Sequence, residues 1–264
     1  MRGATLAILA LIGITRAAVA QESKGSFLVQ HGRTDDGRYV TRTVPYEPSA
    51  GDLIFFNNHK PHWVVLYKMV GSDAPYHSGL IFRKSNGQFA TVEAGPDDTA
   101  WCRTLPLTPR LHEFKGMIHI RRVKNKISPE KEKALEEFAQ AQEGKRYAWL
   151  RVLLQTTPFR CRGPVRRDLF GATYTDRVSY MCAELAVAGG TVAGLFDPKK
   201  HPGNAIYPRD IIYDDNFDIS ATYHPAELWS PFPLPDPPRA IFGMPQALAS
   251  EASATSSAPV SAPR

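Results

Sequence analysis

Three residues that are far apart in the chain have the types needed for nucleophilic catalysis. Cys182 lies in the first turn of a predicted helix, "SYMCAELAVA", where unpaired amide protons and the positive end of the helix dipole favour a thiolate and a developing oxyanion. His77 begins the apolar strand "HSGLIF", and Glu93 interrupts the apolar strand "FATVEA". A cysteine nucleophile needs a base and a group that orients the base. We therefore predict Cys182 as nucleophile, His77 as base and Glu93 as orienting residue.

The loop between these two strands decides whether His77 and Glu93 share a face. With a two-residue turn at positions 86 and 87, position 80 opposes Glu93, which then points away from His77. With a three-residue loop at positions 85–87, position 79 opposes Glu93 and the two side chains become diagonal neighbours. Gly87 suits the left-handed conformation that closes the longer loop, so we predict that loop.

Each candidate also has a structural interpretation. Free cysteine is among the most buried residue types, so Cys182 alone fits a core thiol. His77 alone fits a surface residue after a turn, and Glu93 alone fits a solvent-facing strand end. The histidines of "HKPH", His59 and His62, suggest a metal site, but Pro61 interrupts the element and no third ligand lies nearby. A loop is therefore the better prediction than zinc.

The elements that must position these residues are strands in the first half and helices in the second. The runs predicted as strands are "GDLIFF", "HWVVLYKMV", "HSGLIF", "FATVEA" and "GMIHIRRV". The segment "SPEKEKALEEFAQAQEGK" predicts a helix, with Ser128 as its cap, Pro129 at its first position and Gly144 after its last turn. "RYAWLRVLLQ" can continue as helix, and "SYMCAELAVA" opens another that meets Gly189-Gly190. This order predicts an α+β domain.

The two ends of the chain have compositions that do not suit a packed core. Residues 1–20 combine a basic start, a short apolar run and "AVA", which predicts a signal peptide cleaved after Ala20. We expect an exported protein, periplasmic or secreted, with no transmembrane segment after cleavage. Residues 21–230 are predicted to form one domain. Residues 231–264 begin "PFPLPDPPRA" and continue rich in small residues, which predicts an extended, disordered tail.

Charge excludes few classes of partner. The chain has 32 basic and 26 acidic residues, and a formal charge of +6. Without Arg2 and Arg16 the balance is 30 against 26, or about +4. This excess suits anionic envelope polymers or lipid headgroups but is also ordinary, and no basic stripe with interleaved aromatics predicts nucleic-acid binding. A basic cluster in the 155–176 loop either contacts phosphate or carboxylate or is simply solvated; it comprises Arg160, Arg162, Arg166 and Arg167.

An ordered set of motifs resembles a known family. The motifs are "GDLIFF", "YHSGLIF", "VEAG", "GKRY", "YMCAELA" and the late "YPRDIIYDD". Over about residues 50–215 they resemble the permuted papain-like (YaeF/YiiX-like) branch of the NlpC cysteine peptidase superfamily, in which the histidine precedes the cysteine. The resemblance implies a circularly permuted papain-like domain, with a small antiparallel sheet packed against helices. Two departures are Ala183, where serine is expected more often, and the long 155–176 loop.

The resemblance also implies how the site works. It implies an amidase-type hydrolase that uses the predicted Cys182, His77 and Glu93 and requires no metal or other cofactor. The oxyanion is expected to bind the backbone amides of Cys182 and Ala183. Three tyrosines within the motifs are expected to contact substrate: Tyr76, Tyr147 and Tyr180.

Two further cysteines remain. In an exported chain, a bridge between Cys102 and Cys161 that leaves Cys182 free is one hypothesis. Three free thiols is the other, because sequence does not reveal distance.

Three functions are consistent with the sequence. The first is an amidase that cleaves cell-wall peptides, which fits export. The second is a lipid-directed amidase, thioesterase or acyltransferase, since a related histidine-first permuted fold, the lecithin:retinol acyltransferase-like group, moves acyl chains and the apolar "WLRVLLQ" and "WVVLYKMV" can line an acyl pocket. The third is a binding module without catalysis. The scissile bond, the oligomeric state and the role of the 155–176 loop stay open.

Overall fold

The computed structural model describes residues 25–95, 99–161, 165, 173, 175–214, 217–234 and 240–242. The predicted signal peptide lies outside the described residues. So do three arginines of the basic cluster, at positions 162, 166 and 167, and most of the tail.

An antiparallel sheet forms the centre of the described structure. It contains β1 (Phe27–Thr34), β2 (Tyr39–Pro45), β3 (Leu53–Asn57), β4 (His77–Arg83), β5 (Phe89–Ala94), β6 (Cys102–Pro106), β7 (Met117–Arg121), β10 (Glu227–Ser230) and β11 (Ala240–Phe242). The central order is β10-β7-β3-β4-β5-β6, and β1 pairs with β2, β10 and β11. Two short strands, β8 (Arg146–Tyr147) and β9 (Ser179–Tyr180), pair in parallel outside this sheet.

Helices pack against both faces of the sheet. They are α1 (Pro61–Met69), α2 (Leu107–Glu113), α3 (Pro129–Gln142), α4 (Trp149–Leu153), α5 (Cys182–Val192) and α6 (Pro208–Ile212). Alternate side chains of β3 and β4 enter two hydrophobic clusters, one shared with α3 and α5 and the other with α2. Because these strands are buried on both faces, they are continuous apolar runs rather than alternating ones. The architecture is α+β, with an antiparallel sheet packed against helices.

Helix α5 lies unusually close to β4. A Cβ on Gly189 would lie 2.6 Å from a Leu80 methyl group, so glycine allows the helix to approach the strand. Gly189 and Gly190 both lie inside α5, not beyond its end. This packing fixes the N-terminal turn of α5, which carries Cys182, relative to the strand that begins at His77.

The structure confirms the predicted helix at 129–142. Ser128 accepts a hydrogen bond from the Lys131 amide, Pro129 occupies the first turn, and Leu135 and Phe138 are buried. Gly144 follows with φ of +76°.

The prediction of a strand for "HWVVLYKMV" is wrong, because α1 covers most of this segment. Its β-branched and aromatic residues favour a strand locally. However, Trp63, Tyr67 and Val70 are all buried, and their spacing of four and three residues is helical. Tertiary packing of this face outweighs the local preference.

One described segment of the predicted disordered tail forms a strand. Ala240–Phe242 pairs with Gly32–Thr34 of β1, because this edge of β1 offers unpaired backbone groups that an extended segment can bind. Within the described residues, no helix combines the length and apolar character needed to cross a membrane.

Candidate active site

The β4–β5 hairpin brings His77 and Glu93 together. The Lys84 amide donates to the Gln88 carbonyl over 2.8 Å, which encloses a three-residue loop, and Gly87 has φ of +83°. Gly79 therefore lies opposite Glu93, as predicted. His77 Nε2 and Glu93 Oε2 are 2.8 Å apart, and both side chains are buried.

Gly79 leaves the space through which Glu93 reaches His77. A Cβ at this position would lie 2.8 Å from Glu93 Cγ and 2.7 Å from Thr91 Oγ1. Both contacts are too short for any larger residue. The glycine of "HSG" thus permits the diagonal contact of the two titratable side chains.

Arg110 completes the buried charge cluster. From α2, its Nε donates to Glu93 Oε1 over 3.0 Å and its terminal nitrogen donates to Glu93 Oε2 over 2.7 Å. The guanidinium also lies 4.4 Å from the centre of the Phe56 ring, and that ring stacks on His77 at 5.4 Å. The sequence analysis missed Arg110. A forked pair holds a carboxylate in one orientation, so Arg110 fixes the group that orients His77.

Cys182 is the first residue of α5, and Met181 precedes the helix. The first intrahelical hydrogen bond runs from the Leu185 amide to the Met181 carbonyl. The amides of Cys182 and Ala183 therefore precede the helical ladder, as in any helix start. Both amides lie at the positive end of the helix dipole, the position predicted for an oxyanion site.

Glu184 anchors this helix start from inside the protein. Its carboxylate accepts the Met181 amide over 3.1 Å and a hydrogen bond from Arg151 over 2.8 Å, and it also pairs with Arg177. The carboxylate is buried. With two cationic partners and one amide, Glu184 holds the turn that carries Cys182.

The electrostatics of the cluster favour a charged His77. Burial alone would lower its pKa, but contacts with Cys182 and Glu93 outweigh burial and raise the pKa to about 9. Burial alone would raise the pKa of Glu93, but His77 and Arg110 lower it to about 2. His77 Nδ1 has no hydrogen-bond partner among the described residues. With Nε2 held by Glu93, Nδ1 is the nitrogen available to exchange a proton with Cys182.

A small, largely apolar pocket opens beside Cys182. Its walls come from α1, the turn before α5 and the segments around α4 and α6. The lining residues are Trp63, Leu66, Tyr67, Val70, Tyr147, Val152, Gln155, Met181, Cys182, Ala183, Ile206, Tyr207 and Pro208.

The three predicted substrate-contacting tyrosines have different positions. Tyr147 lines the pocket, and burial raises its pKa well above the ordinary value, so it stays a neutral phenol. Tyr76 is buried outside the described lining, and its hydroxyl donates to Asp73. Tyr180 is also buried outside the lining, and its hydroxyl donates to the Thr175 carbonyl. Of the three tyrosines, Tyr147 lies in the described lining, and contact with substrate stays a prediction for all three.

Of the two hypotheses for the cysteines, the structure has the one with three free thiols, at Cys102, Cys161 and Cys182, and not the bridge between Cys102 and Cys161. Cys102 lies in β6 opposite Ala94. The Cys161 thiol instead contacts the Asn204 carbonyl at 3.6 Å. Burial raises the pKa of Cys102 to about 12, which makes that thiol a poor nucleophile.

The region of His59 and His62 divides between two elements. His59 has φ of +52° in a loop, as predicted, and His62 lies in α1. Across the described ranges, no group of three or more histidine, cysteine, aspartate or glutamate side chains is arranged to hold a metal ion.

The similarity of this chain to known proteins is weak. No family model and no curated protein matches the chain. Among solved structures, the chain is similar to metalloprotein YiiX from Escherichia coli O157:H7, a DUF1105 protein, with a TM-score of 0.38 and 16% sequence identity. The similarity covers 76% of this chain and 98% of that one. A similarity this low supports no statement about the chemistry of the site. The chemistry is argued from the geometry of Cys182, His77 and Glu93.

Proposed function

We propose that the protein is a papain-like cysteine hydrolase of the permuted type, with Cys182 as nucleophile. The observation that supports this most is the buried Glu93–His77 pair, whose histidine interacts with the Cys182 thiol at a helix start. A base that is oriented by a carboxylate and lies beside a thiol is the arrangement that activates a cysteine nucleophile.

The proposed reaction is acyl transfer through a thioester. The Cys182 sulfur gives its proton to His77 and attacks the carbonyl carbon of an amide, and the amides of Cys182 and Ala183 bind the oxyanion. The carbon–nitrogen bond breaks as protonated His77 gives its proton to the leaving amine. Water then attacks the thioester, His77 takes a proton from that water and returns it to the departing Cys182 sulfur, and the acid is released. Glu93 holds the imidazole throughout, and Arg110 holds Glu93.

Two substrate classes suit a protein expected to be exported. Cell-wall peptides offer amide bonds and fit the envelope location. Acyl lipids are the second candidate, favoured by the apolar walls of the Cys182 pocket. Under either substrate, the scissile carbonyl must reach Cys182 with one substituent in that pocket.

A product analysis tests the proposal. Muropeptides and N-acyl lipids are incubated with wild type, Cys182→Ala and His77→Ala, and products are identified by mass spectrometry. We expect products only from wild type, and acid quenching should trap an acyl group on the Cys182 peptide. Identical traces from wild type and Cys182→Ala on every substrate would favour a binding module and contradict the proposed hydrolase.

A further inference from the structure

The proposed catalytic side chains are closed off from solvent. The exposed fraction is 3% for Cys182, 4% for His77 and 1% for Glu93. Attack on a carbonyl requires the sulfur and the carbonyl carbon to approach to about 3–3.5 Å. A substrate does not reach that distance from a thiol that is covered in this way. Part of the covering structure must therefore move before the proposed reaction begins.

Helix α1 forms one wall of the pocket beside Cys182. It contributes Trp63, Leu66 and Tyr67 to the lining. The Tyr67 phenol lies close enough to Cys182 for that thiol, after burial, to raise the pKa of Tyr67 above its ordinary value. The Tyr67 ring also meets the ring of Tyr207, which precedes α6, with 5.9 Å between the two centroids. The pocket is thus closed where α1 meets the segment that leads into α6.

The other walls of the pocket are held by networks of polar contacts. The start of α5 is fixed by Glu184, whose carboxylate binds the Met181 amide and two arginine side chains. The Tyr207 hydroxyl donates to Gln155 Oε1 over 2.7 Å, and the Tyr207 amide donates to the Asp210 carboxylate over 2.8 Å. Movement of either wall would therefore break several hydrogen bonds at once.

Helix α1 is attached to the domain in a different way. It is inserted between β3 and β4, and it begins without a side-chain cap. Trp63 and Tyr67 are its buried residues, whereas Met69 is 62% exposed. Left-handed residues lie at both of its ends, His59 with φ of +52° and Gly71 with φ of +75°. Short connections at the ends of an element are where hinge movement takes place.

A buried hydrogen bond joins α1 to the strand that carries His77. The Tyr67 hydroxyl donates to the Tyr76 carbonyl over 2.9 Å, and the two rings meet edge to face at 5.1 Å. Tyr76 directly precedes His77. Tyr67 therefore holds α1 against the residue next to the proposed base.

We propose that α1 is a lid over Cys182, that Tyr67 is the latch that holds it shut, and that it swings outward about residues 58–60 and 70–72 to admit substrate. The need for opening rests on the proposed function, because only a reacting thiol has to meet a substrate. The opening itself does not require catalysis. Because Trp63 and Leu66 move with the lid, the open site accepts a larger substituent than the closed pocket does.

Alkylation of Cys182 at about pH 10 measures the opening. At that pH an accessible thiol is ionised without help from a base, so the rate reports access to the sulfur. The reagents are iodoacetamide and the much larger iodoacetamidofluorescein, which share one reactive group. Each rate is divided by the rate for the same cysteine in urea-unfolded protein, and mass mapping assigns the modified residue. Both reagents should be slowed by the same factor at Cys182, and both should modify it faster than the buried Cys102.

Removing one hydroxyl tests the latch. Tyr67→Phe should raise both rates at Cys182 about fivefold, the factor that corresponds to a hydrogen bond worth about 1 kcal/mol. The matched control is Tyr46→Phe, which removes another buried hydroxyl, bonded to Asp52 over 2.9 Å in the cluster shared with α2. This control should leave both rates unchanged. Circular dichroism checks that each variant is folded at the pH of the assay.

Three results would overturn the lid. If Cys182 reacts as slowly as Cys102, global unfolding is what exposes it. If iodoacetamide reacts and the larger reagent does not, a fixed narrow channel leads to the thiol. If Tyr67→Phe and Tyr46→Phe give equal rates, Tyr67 is not the latch. Products from wild type but not from Cys182→Ala would preserve the proposed hydrolase after any of these results, so the two failures can be distinguished.

Discussion

Arg110 offers the most informative perturbation of the charge cluster. In Arg110→Ala, the Glu93 carboxylate stays buried, at 1% exposure, and loses two charge-assisted hydrogen bonds of 3.0 and 2.7 Å. Breaking a buried ion pair by removing one partner typically costs about 3–5 kcal/mol. Because the Arg110 side chain keeps 12% exposure and His77 still holds Glu93, we expect a loss of about 3 kcal/mol in the free energy of unfolding.

Urea denaturation at pH 7 measures this loss. The matched control is Lys133→Ala, which breaks the exposed pair between Lys133 and Glu137 at 3.8 Å and should change stability by less than about 0.5 kcal/mol. The double variant Arg110→Ala/Glu93→Gln removes the unpaired carboxylate as well, so its loss should be smaller than the sum of the two single losses. The role assigned to Arg110 would be refuted if Arg110→Ala and Lys133→Ala lost equal, small amounts of stability. Strictly additive losses in the double variant Arg110→Ala/Glu93→Gln would refute it as well.

Three other predictions concern the same cluster. NMR titration should find His77 protonated through pH 7 with a pKa near 9, because the contacts with Cys182 and Glu93 outweigh burial. The stability that the His77 charge contributes is present below about pH 6.5 and is lost as the pH rises through 9. In Cys182→Ala the pKa of His77 should fall. Gly79→Ala should lower kcat at least about tenfold and stability by about 1–3 kcal/mol, because the added methyl group displaces Glu93. An unchanged kcat would argue against the role of Gly79 in positioning Glu93. Glu184→Gln should cost about 3 kcal/mol by thermal unfolding, because two partly buried arginines lose their carboxylate; a Tm within error of wild type would show that the anchor is dispensable.

Local sequence was sufficient for the hairpin that pairs His77 with Glu93. The identity of Gly87 selects the three-residue loop, and the loop length fixes the register, so one local feature determines which face Glu93 occupies. The helix that carries Cys182 was also predicted from sequence, and Cys182 lies in its first turn as expected.

Features that depend on tertiary packing could not be predicted from the sequence. Arg110 reaches Glu93 from α2, the helix between β6 and β7 in the chain. A lone arginine in "LTPRLHE" has no pattern that identifies its partner. The strand preference of "HWVVLYKMV" is real, but burial of one helical face overrides it. The separation of Cys102 from Cys161 likewise depends on where β6 and the Asn204 region lie.

The most direct test of the central claim is the reactivity of Cys182. Iodoacetamide alkylation is followed against pH in wild type and His77→Ala, and mass mapping assigns the modified cysteine. We predict that Cys182, which is buried but lines the pocket, is alkylated at neutral pH in wild type and at least about tenfold more slowly in His77→Ala. Cys102 and Cys161, which are buried outside that lining, should remain unmodified in both proteins. Equal rates and equal pH profiles for Cys182 in the two proteins would contradict the assignment of His77 as its base.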